Sequence, residues 1–155
     1  MPARKLKEYL DSHAIKYETR MHYPMYTAQE IAASAHIPGK ELAKTVIVKI
    51  DDRIAMAVLP ASHKIDFNLL TKAAEAKKVQ LATEQEFQAL FPDCEVGAMP
   101  PFGNLYGIDV IVADQLTEDP EIAFSAGTHE ELVIVAYKDF EKLVKPRVAK
   151  FSAPS

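Results

Sequence analysis

The sequence predicts an α/β fold in which a mixed, mostly antiparallel β-sheet is covered by helices. Three observations predict it. Two β-rich runs, Ala43 to Ile50 and Ile54 to Leu59, are separated only by Asp51-Asp52-Arg53, a polar connection of hairpin length, so the runs should pair antiparallel. Two capping boxes, Thr27-Ala-Gln-Glu30 and Thr83-Glu-Gln-Glu86, mark helix starts, since a Thr hydroxyl and a Glu carboxylate three residues on satisfy each other's backbone amides. Strands and helices mix without strict β-α-β alternation, which disfavours a doubly wound parallel sheet.

Each element has a local reason. Leu6 and Leu10, flanked by Arg4, Lys5, Lys7 and Glu8, put one apolar stripe on a helix over residues 3 to 13. Tyr17 to Arg20 reads as a short strand. The helix opened at Thr27 should stop near His36, before Pro38-Gly39, and Asp66 should cap a helix through Ala74. Val79 to Leu81 starts β-branched, and the box at Thr83 should open a helix to Phe91. Leu105 to Ala113 reads as one strand, and Glu121 to Ser125 and Glu131 to Tyr137 as two more around the Gly127 turn. Asp139 should cap a last helix to about Val144, ahead of Pro146. No repeat or linker divides residues 1–155, so a single domain is expected, with Phe151 to Ser155 as a loose tail.

Composition narrows the function classes. A chain of 155 residues, 48% apolar and 26% charged, suits one globular core that buries roughly 70% of the unfolded surface. A net charge of -4 argues against a dedicated backbone-gripping nucleic-acid binder such as a DNA-binding protein, while leaving room for a partner that touches only the tip of an RNA. From Asp114 to Tyr137 there are six acidic residues and no Lys or Arg, whereas Lys138, Lys142, Lys145, Arg147 and Lys150 crowd the C-terminal part. A solvated helix face is a plainer reading of that cluster than an RNA-steering patch. The single Cys94 rules out an internal disulfide and a cysteine-rich metal site, and no signal-peptide core follows Met-Pro-Ala-Arg-Lys, which reads as a cytoplasmic chain. Apolar runs of about six residues, such as Leu132 to Tyr137, fall far short of the ~20 that span a bilayer.

Three short elements could carry chemistry. Lys44 opens the strand Lys44-Thr-Val-Ile-Val-Lys49 and shares a face with Val46, Val48 and Ile50, so its ammonium should be partly desolvated and pull strongly on a nearby phosphate or carbonyl oxygen. A strand-end lysine that snorkels to water is the plainer reading. Gly97 to Gly103 holds two glycines and two prolines; Pro100 and Pro101 stiffen it, and Gly97 permits a turn and close approach of a ligand. An ordinary structural loop would look the same. His129, two residues after Gly127, stands at the mouth of another apolar strand, where it could act as general base, donor or orienter of a ribose, or be a half-exposed loop histidine. His13, His22, His36 and His63 show no zinc-site spacing, so no metal is assigned. There is no Gly-x-Ser-x-Gly elbow, Walker loop, dinucleotide glycine motif or His-Glu-x-x-His, and Cys94 sits between Asp93 and Glu95, which oppose a thiolate. A hydrolase built on these residues would have water or a substrate hydroxyl attack.

Together, Ala-Lys44-Thr-Val-Ile-Val, Gly97-x-x-x-Pro101, Phe-Ser-Ala-Gly127-Thr-His129, the Tyr-Thr-Ala-Gln-Glu region and the N-terminal helix resemble the YbaK and prolyl-tRNA synthetase insertion-domain family over nearly the whole chain. The resemblance implies that family's fold and the hydrolysis of the ester of mischarged aminoacyl-tRNA, with no metal or organic cofactor. It implies that Lys44 contacts the acceptor-end adenosine or the aminoacyl group, that Thr45 lines the same site, and that Gly97 and Pro101 form the loop that holds the ester. His129 matches the histidine of the insertion-domain branch; Ser125 and Tyr26 fall, more loosely, where other branches keep a polar contact and an aromatic wall. The implied partners are the acceptor end of mischarged tRNA and an aminoacyl-tRNA synthetase, with neither membrane nor DNA. A non-catalytic aminoacyl-tRNA- or nucleotide-binding module of the same fold is the alternative, and a protein-interaction domain, marked by an exposed apolar patch, is a third.

Overall fold

The computed structural model describes residues 4–21, 41–92, 94–95 and 98–154. The helix opened by the Thr27 box, and with it Tyr26 and Gly97, lies outside them. Among the described residues the chain runs α1 (Arg4–Ser12), β1 (Tyr17–Met21), β2 (Ala43–Ile50), β3 (Arg53–Pro60), β4 (His63–Ile65), α2 (Phe67–Ala73), β5 (Val79–Leu81), α3 (Glu84–Phe87), β6 (Asp109–Ala113), β7 (Glu121–Ser125), β8 (Glu131–Ala136), α4 (Tyr137–Val144), β9 (Arg147–Ala149) and β10 (Ser152–Pro154). The fold is mixed α/β, as the sequence predicts. Its described strands form three sheets instead of one: β5-β2-β3-β6-β9, β1-β8-β7, and the pair β10-β4. The β2–β3 hairpin pairs antiparallel from Ala43 opposite Pro60 to Ile50 opposite Arg53, whereas β3–β6 and β6–β9 are parallel. A parallel bridge between Leu42 and Ala123 joins the first two sheets.

Burial explains why these residues make these elements. Leu6 and Leu10 are the buried face of α1, and Lys7 on that helix pairs with the buried Glu131 at the start of β8. Asp66 caps α2 by accepting from the amides of Asn68 and Leu69, and the reciprocal Thr83–Glu86 box opens α3. Phe102 ties the layers together. Its ring lies 5.4 Å from Phe124 of β7, 5.5 Å from Phe140 of α4 and 6.3 Å from Tyr9 of α1. Each such ring pair contributes about 0.5–1.5 kcal/mol beyond area burial.

Five differences from the sequence expectation have a physical reason in the structure. The helix from Thr83 is α-helical only to Phe87 and then tightens into a 3₁₀ turn over Gln88–Leu90. The strand expected from Leu105 starts at Asp109, because Gly103–Leu105 winds into a 3₁₀ turn and Gly107, at φ 70°, reverses the chain. Gly103 has a packing reason as well: a Cβ there would lie 2.5 Å from the Ile108 carbonyl oxygen. The last strand yields to helix one residue early, at Tyr137. Asp139 is not the cap of α4; it sits in the first turn, where its charge favours the helix dipole, while the Tyr137 amide donates to the Pro120 carbonyl at 3.0 Å. The loose tail is the largest correction: Phe151 is fully buried, its carbonyl accepts from the Asp66 amide at 2.7 Å, and β10 pairs with β4. A buried phenylalanine outweighs the tendency of a terminal segment to fray.

Candidate functional site

Lys44 is the second residue of β2, opposite Leu59 of β3. Val48 and Ile50 on its face are buried, yet so is Ile47 on the other, so β2 is covered on both sides; Val46 is half-buried. Lys44 itself is half-buried, and burial lowers its pKa from the ordinary lysine value. Lys49 behaves differently. Its ammonium pairs with Glu86 at 2.8 Å, which together with the Thr83 amide pulls the Glu86 carboxyl down to about 2. That pair fastens α3 to the sheet and accounts for Lys49 without chemistry.

The mouth of β2 leads to the other two elements. The Leu42 carbonyl accepts from the Ala61 amide at 2.7 Å, and the Glu41 carbonyl accepts from the Ala123 amide at 3.0 Å, so the residues just before Lys44 are stitched to β7. β2 and β7 run in the same direction across the Leu42–Ala123 bridge, and two residues further on each chain come Lys44 and the half-buried Ser125. β7 then delivers Ala126 and Gly127. Gly127, at φ 100°, occupies a conformation that L side chains rarely adopt, which is why a glycine stands there.

Gly127 exchanges two hydrogen bonds with the proline-loop segment: its amide donates to the Ala98 carbonyl at 2.8 Å, and its carbonyl accepts from the Glu95 amide at 2.8 Å. The Ala98 amide donates to the Glu95 carbonyl at 3.0 Å. Ala98, Met99, Pro100, Pro101 and Phe102 are all buried, so the loop is a wall of the molecule and not a solvent-facing excursion. The structure therefore brings the Pro101 loop, Gly127 and His129 together and carries β7 past the mouth of β2. His129 is 8% exposed, contrary to the half-exposed alternative. Thr45, opposite Val58, is half-buried and points to the face opposite Lys44.

Glu95 is the residue that sequence reasoning missed. It figured only as a neighbour opposing a Cys94 thiolate, and nothing in its spacing marks it out. In the structure its Oε2 accepts from the His129 amide at 2.8 Å. A separate cleft of about 410 Å³, bordered by Ile50, Arg53, Asp109, Val110, Lys145 and Arg147, lies at the far end of β2, about 20 Å from Lys44 at ~3.3 Å per residue. Lys145 and Arg147 of the C-terminal basic cluster border it, whereas Lys44, Thr45, Pro101, Ser125, Gly127 and His129 do not.

The sequence profile of the aminoacyl-tRNA editing domain matches residues 22–143, which spans Lys44, the proline loop and His129. The chain belongs to the aminoacyl-tRNA editing domain family. Curated relatives include proline--tRNA ligases of Bacillus cytotoxicus (26% identical over 83 residues, 54% of this chain and 14% of the ligase) and of Geobacillus sp. (28% over 96 residues, 61% of this chain and 17% of the ligase). The chain thus matches only a small part of those ligases. Among solved structures, a hypothetical protein has a TM-score of 0.86 at 22% identity, covering 97% of this chain and 100% of its own. A candidate trans-editing enzyme for prolyl tRNA synthetase has a TM-score of 0.84 at 19% identity, covering 98% and 97%. At such identities these two establish the editing-domain fold. Among the described residues no helix is long and apolar enough to cross a membrane, and no cluster of His, Cys, Asp and Glu could hold a metal ion.

Proposed function

We propose that the protein is an aminoacyl-tRNA deacylase that acts in trans, hydrolysing the ester between a wrongly attached amino acid and the terminal adenosine of tRNA, in the cytoplasm where tRNA is charged. The observation that carries this reading is a half-buried lysine of lowered pKa, at a strand mouth stitched to the strand that leads into the Gly127–His129 turn, in a chain of the aminoacyl-tRNA editing family. Water attacks the ester carbonyl carbon, negative charge gathers on the carbonyl oxygen, and the bond to the ribose oxygen breaks as that oxygen takes the proton the attacking water gives up. Lys44 places positive charge beside the reacting ester or the neighbouring phosphate, in a partly dry site where it counts most. The Pro101 loop, rigid and bonded to Gly127, supplies fixed backbone groups, and His129 orients the substrate. The chemistry calls for no metal, organic cofactor or protein nucleophile. Selection among amino acids rests on pocket size and on partners for polar groups, since one methylene is worth only ~1–3 kcal/mol. The resemblance to parts of proline--tRNA ligases, and the fold shared with a candidate trans-editing enzyme, support a tRNA partner handled alongside a synthetase.

The test is single-turnover hydrolysis of tRNA charged in turn with alanine, cysteine, serine or threonine. Wild-type protein is expected to shorten the ester half-life of at least one of them. Lys44→Ala should abolish that effect with an unchanged circular dichroism spectrum, Lys44→Arg should restore it only in part, because a planar guanidinium does not reproduce a compact ammonium, and His129→Ala should reduce it less. Wild-type rates in folded Lys44→Ala would remove Lys44 from the chemistry, and wild-type protein that accelerates none of the four would move the assignment to a non-catalytic binding module.

A further inference from the structure

We infer that Glu95 is a positioning residue for the His129 turn. The inference rests on the proposed deacylase reading for its kinetic consequence but not for its structural one. Glu95 stands at the crossing of two elements far apart in sequence and touches the second of them in two ways: its backbone amide donates to the Gly127 carbonyl at 2.8 Å, and its side-chain Oε2 accepts from the His129 amide at 2.8 Å. The same oxygen lies 4.0 Å from His129 Nε2. One carboxylate therefore engages the histidine's backbone and faces its ring.

The chemistry of the contact separates this residue from a surface acid. The Glu95 side chain is about half exposed (51%) whereas that of His129 is 10% exposed, so the carboxylate keeps part of its hydration while its inner oxygen serves a buried turn. A hydrogen bond from an amide to a carboxylate is roughly twice as strong as one between neutral groups. Gly127 has no side chain to hold the turn, whose base is closed by the Ala126 amide donating to the Glu131 carbonyl at 3.1 Å. With Glu95 in place, the turn is held on both sides of Thr128: at Gly127 by the backbone exchange with Glu95 and Ala98, and at His129 by the carboxylate. Glu95 thereby fixes the distance between the Pro101 loop and the His129 ring, and that distance is what a site built from two separate elements must hold to a fraction of an ångström.

Two measurements on the full chain test this. Hydrogen exchange at the His129 amide, followed by nitrogen-15 NMR, should speed up at least tenfold in Glu95→Ala and stay near wild type in Glu95→Gln, whose amide oxygen still accepts. Wild-type exchange in Glu95→Ala overturns the inference irrespective of any activity. In single-turnover deacylation, Glu95→Ala should slow the bound reaction about 10- to 100-fold with little change in the tRNA concentration at half-saturation. Glu95→Gln should recover most of the rate. In a His129→Ala background the Glu95→Ala change should add almost nothing, because its effect runs through the histidine. Equal rate losses in both backgrounds, or a loss of thermal stability with unaltered rate, would reduce Glu95 to a structural residue and overturn its positioning role. Wild-type protein inactive on every charged tRNA would instead overturn the proposed function, and the exchange result would still decide the contact.

Discussion

Lys44 and Gly127 show how a single residue can be read for its cost as well as its use. Burial lowers the Lys44 pKa, so folding disfavours its bound proton. Between the lowered value and the ordinary one the unfolded chain binds more protons, and stability rises with pH across that window; below it the cost is present in full. Lys44→Met keeps an unbranched apolar stem and removes the charge. It is expected to raise the melting temperature at pH 7, with a gap that narrows as pH climbs into the window. The same melting difference at both pH values would sink the desolvation account of Lys44. Gly127→Ala should cost about 1–3 kcal/mol, a few degrees in melting temperature, because φ 100° strains any residue with a Cβ. Thermal melts of the two proteins decide it, and an unchanged midpoint would mean that the turn adopts another conformation.

At the scale of elements, the C-terminal strand carries the sharpest expectation. Phe151 and Ser152 are buried, and Ser152 Oγ lies 2.9 Å from His63 Nδ1, so β10 fastens β4 and the start of α2 to the rest of the molecule. Phe151→Ala should destabilise by about 3–5 kcal/mol in urea unfolding. A change under about 1 kcal/mol would return this segment to the status of a tail. Helices and the hairpin were legible because their signals are local: a cap three residues from its partner, an alternation of period two, a polar connection between apolar runs. The corrected boundaries, at Asp109, Tyr137 and Phe151, have two kinds of cause. The last two are set by contacts between distant residues, the Pro120 carbonyl and the Asp66 amide, whereas the first is set by the turn over Gly103 to Gly107 just ahead of the strand.

Across the whole molecule, charge is divided. The acidic run from Asp114 to Glu131 flanks β7 and β8, while Arg53, Lys145 and Arg147 border the cleft at the far end of the five-stranded sheet. With a net charge of -4, contact with tRNA should involve few phosphates. The plot of log affinity against log salt is then expected to be shallower than about -4, at roughly -0.7 to -0.9 per phosphate neutralised. Titration of tRNA by fluorescence anisotropy over a salt series measures it. A slope near -8 would demand a larger basic footprint than the sequence and the cleft supply.

The sequence by itself determined the class of fold, the β2–β3 hairpin, the caps at Asp66 and Thr83, and the nomination of Lys44, the Pro101 loop, Gly127 and His129. All of these rest on residue type and short spacing. Only the tertiary structure decided that the Pro101 loop closes on Gly127 and that β7 passes the mouth of β2, that Phe102 joins α1, β7 and α4, and that Glu95 reaches the His129 amide. Glu95 and His129 are 34 residues apart. No local preference encodes a hydrogen bond across that distance; it exists because burying Phe102 and Phe124 against each other brings the two turns together, and the carboxylate then finds an amide within reach.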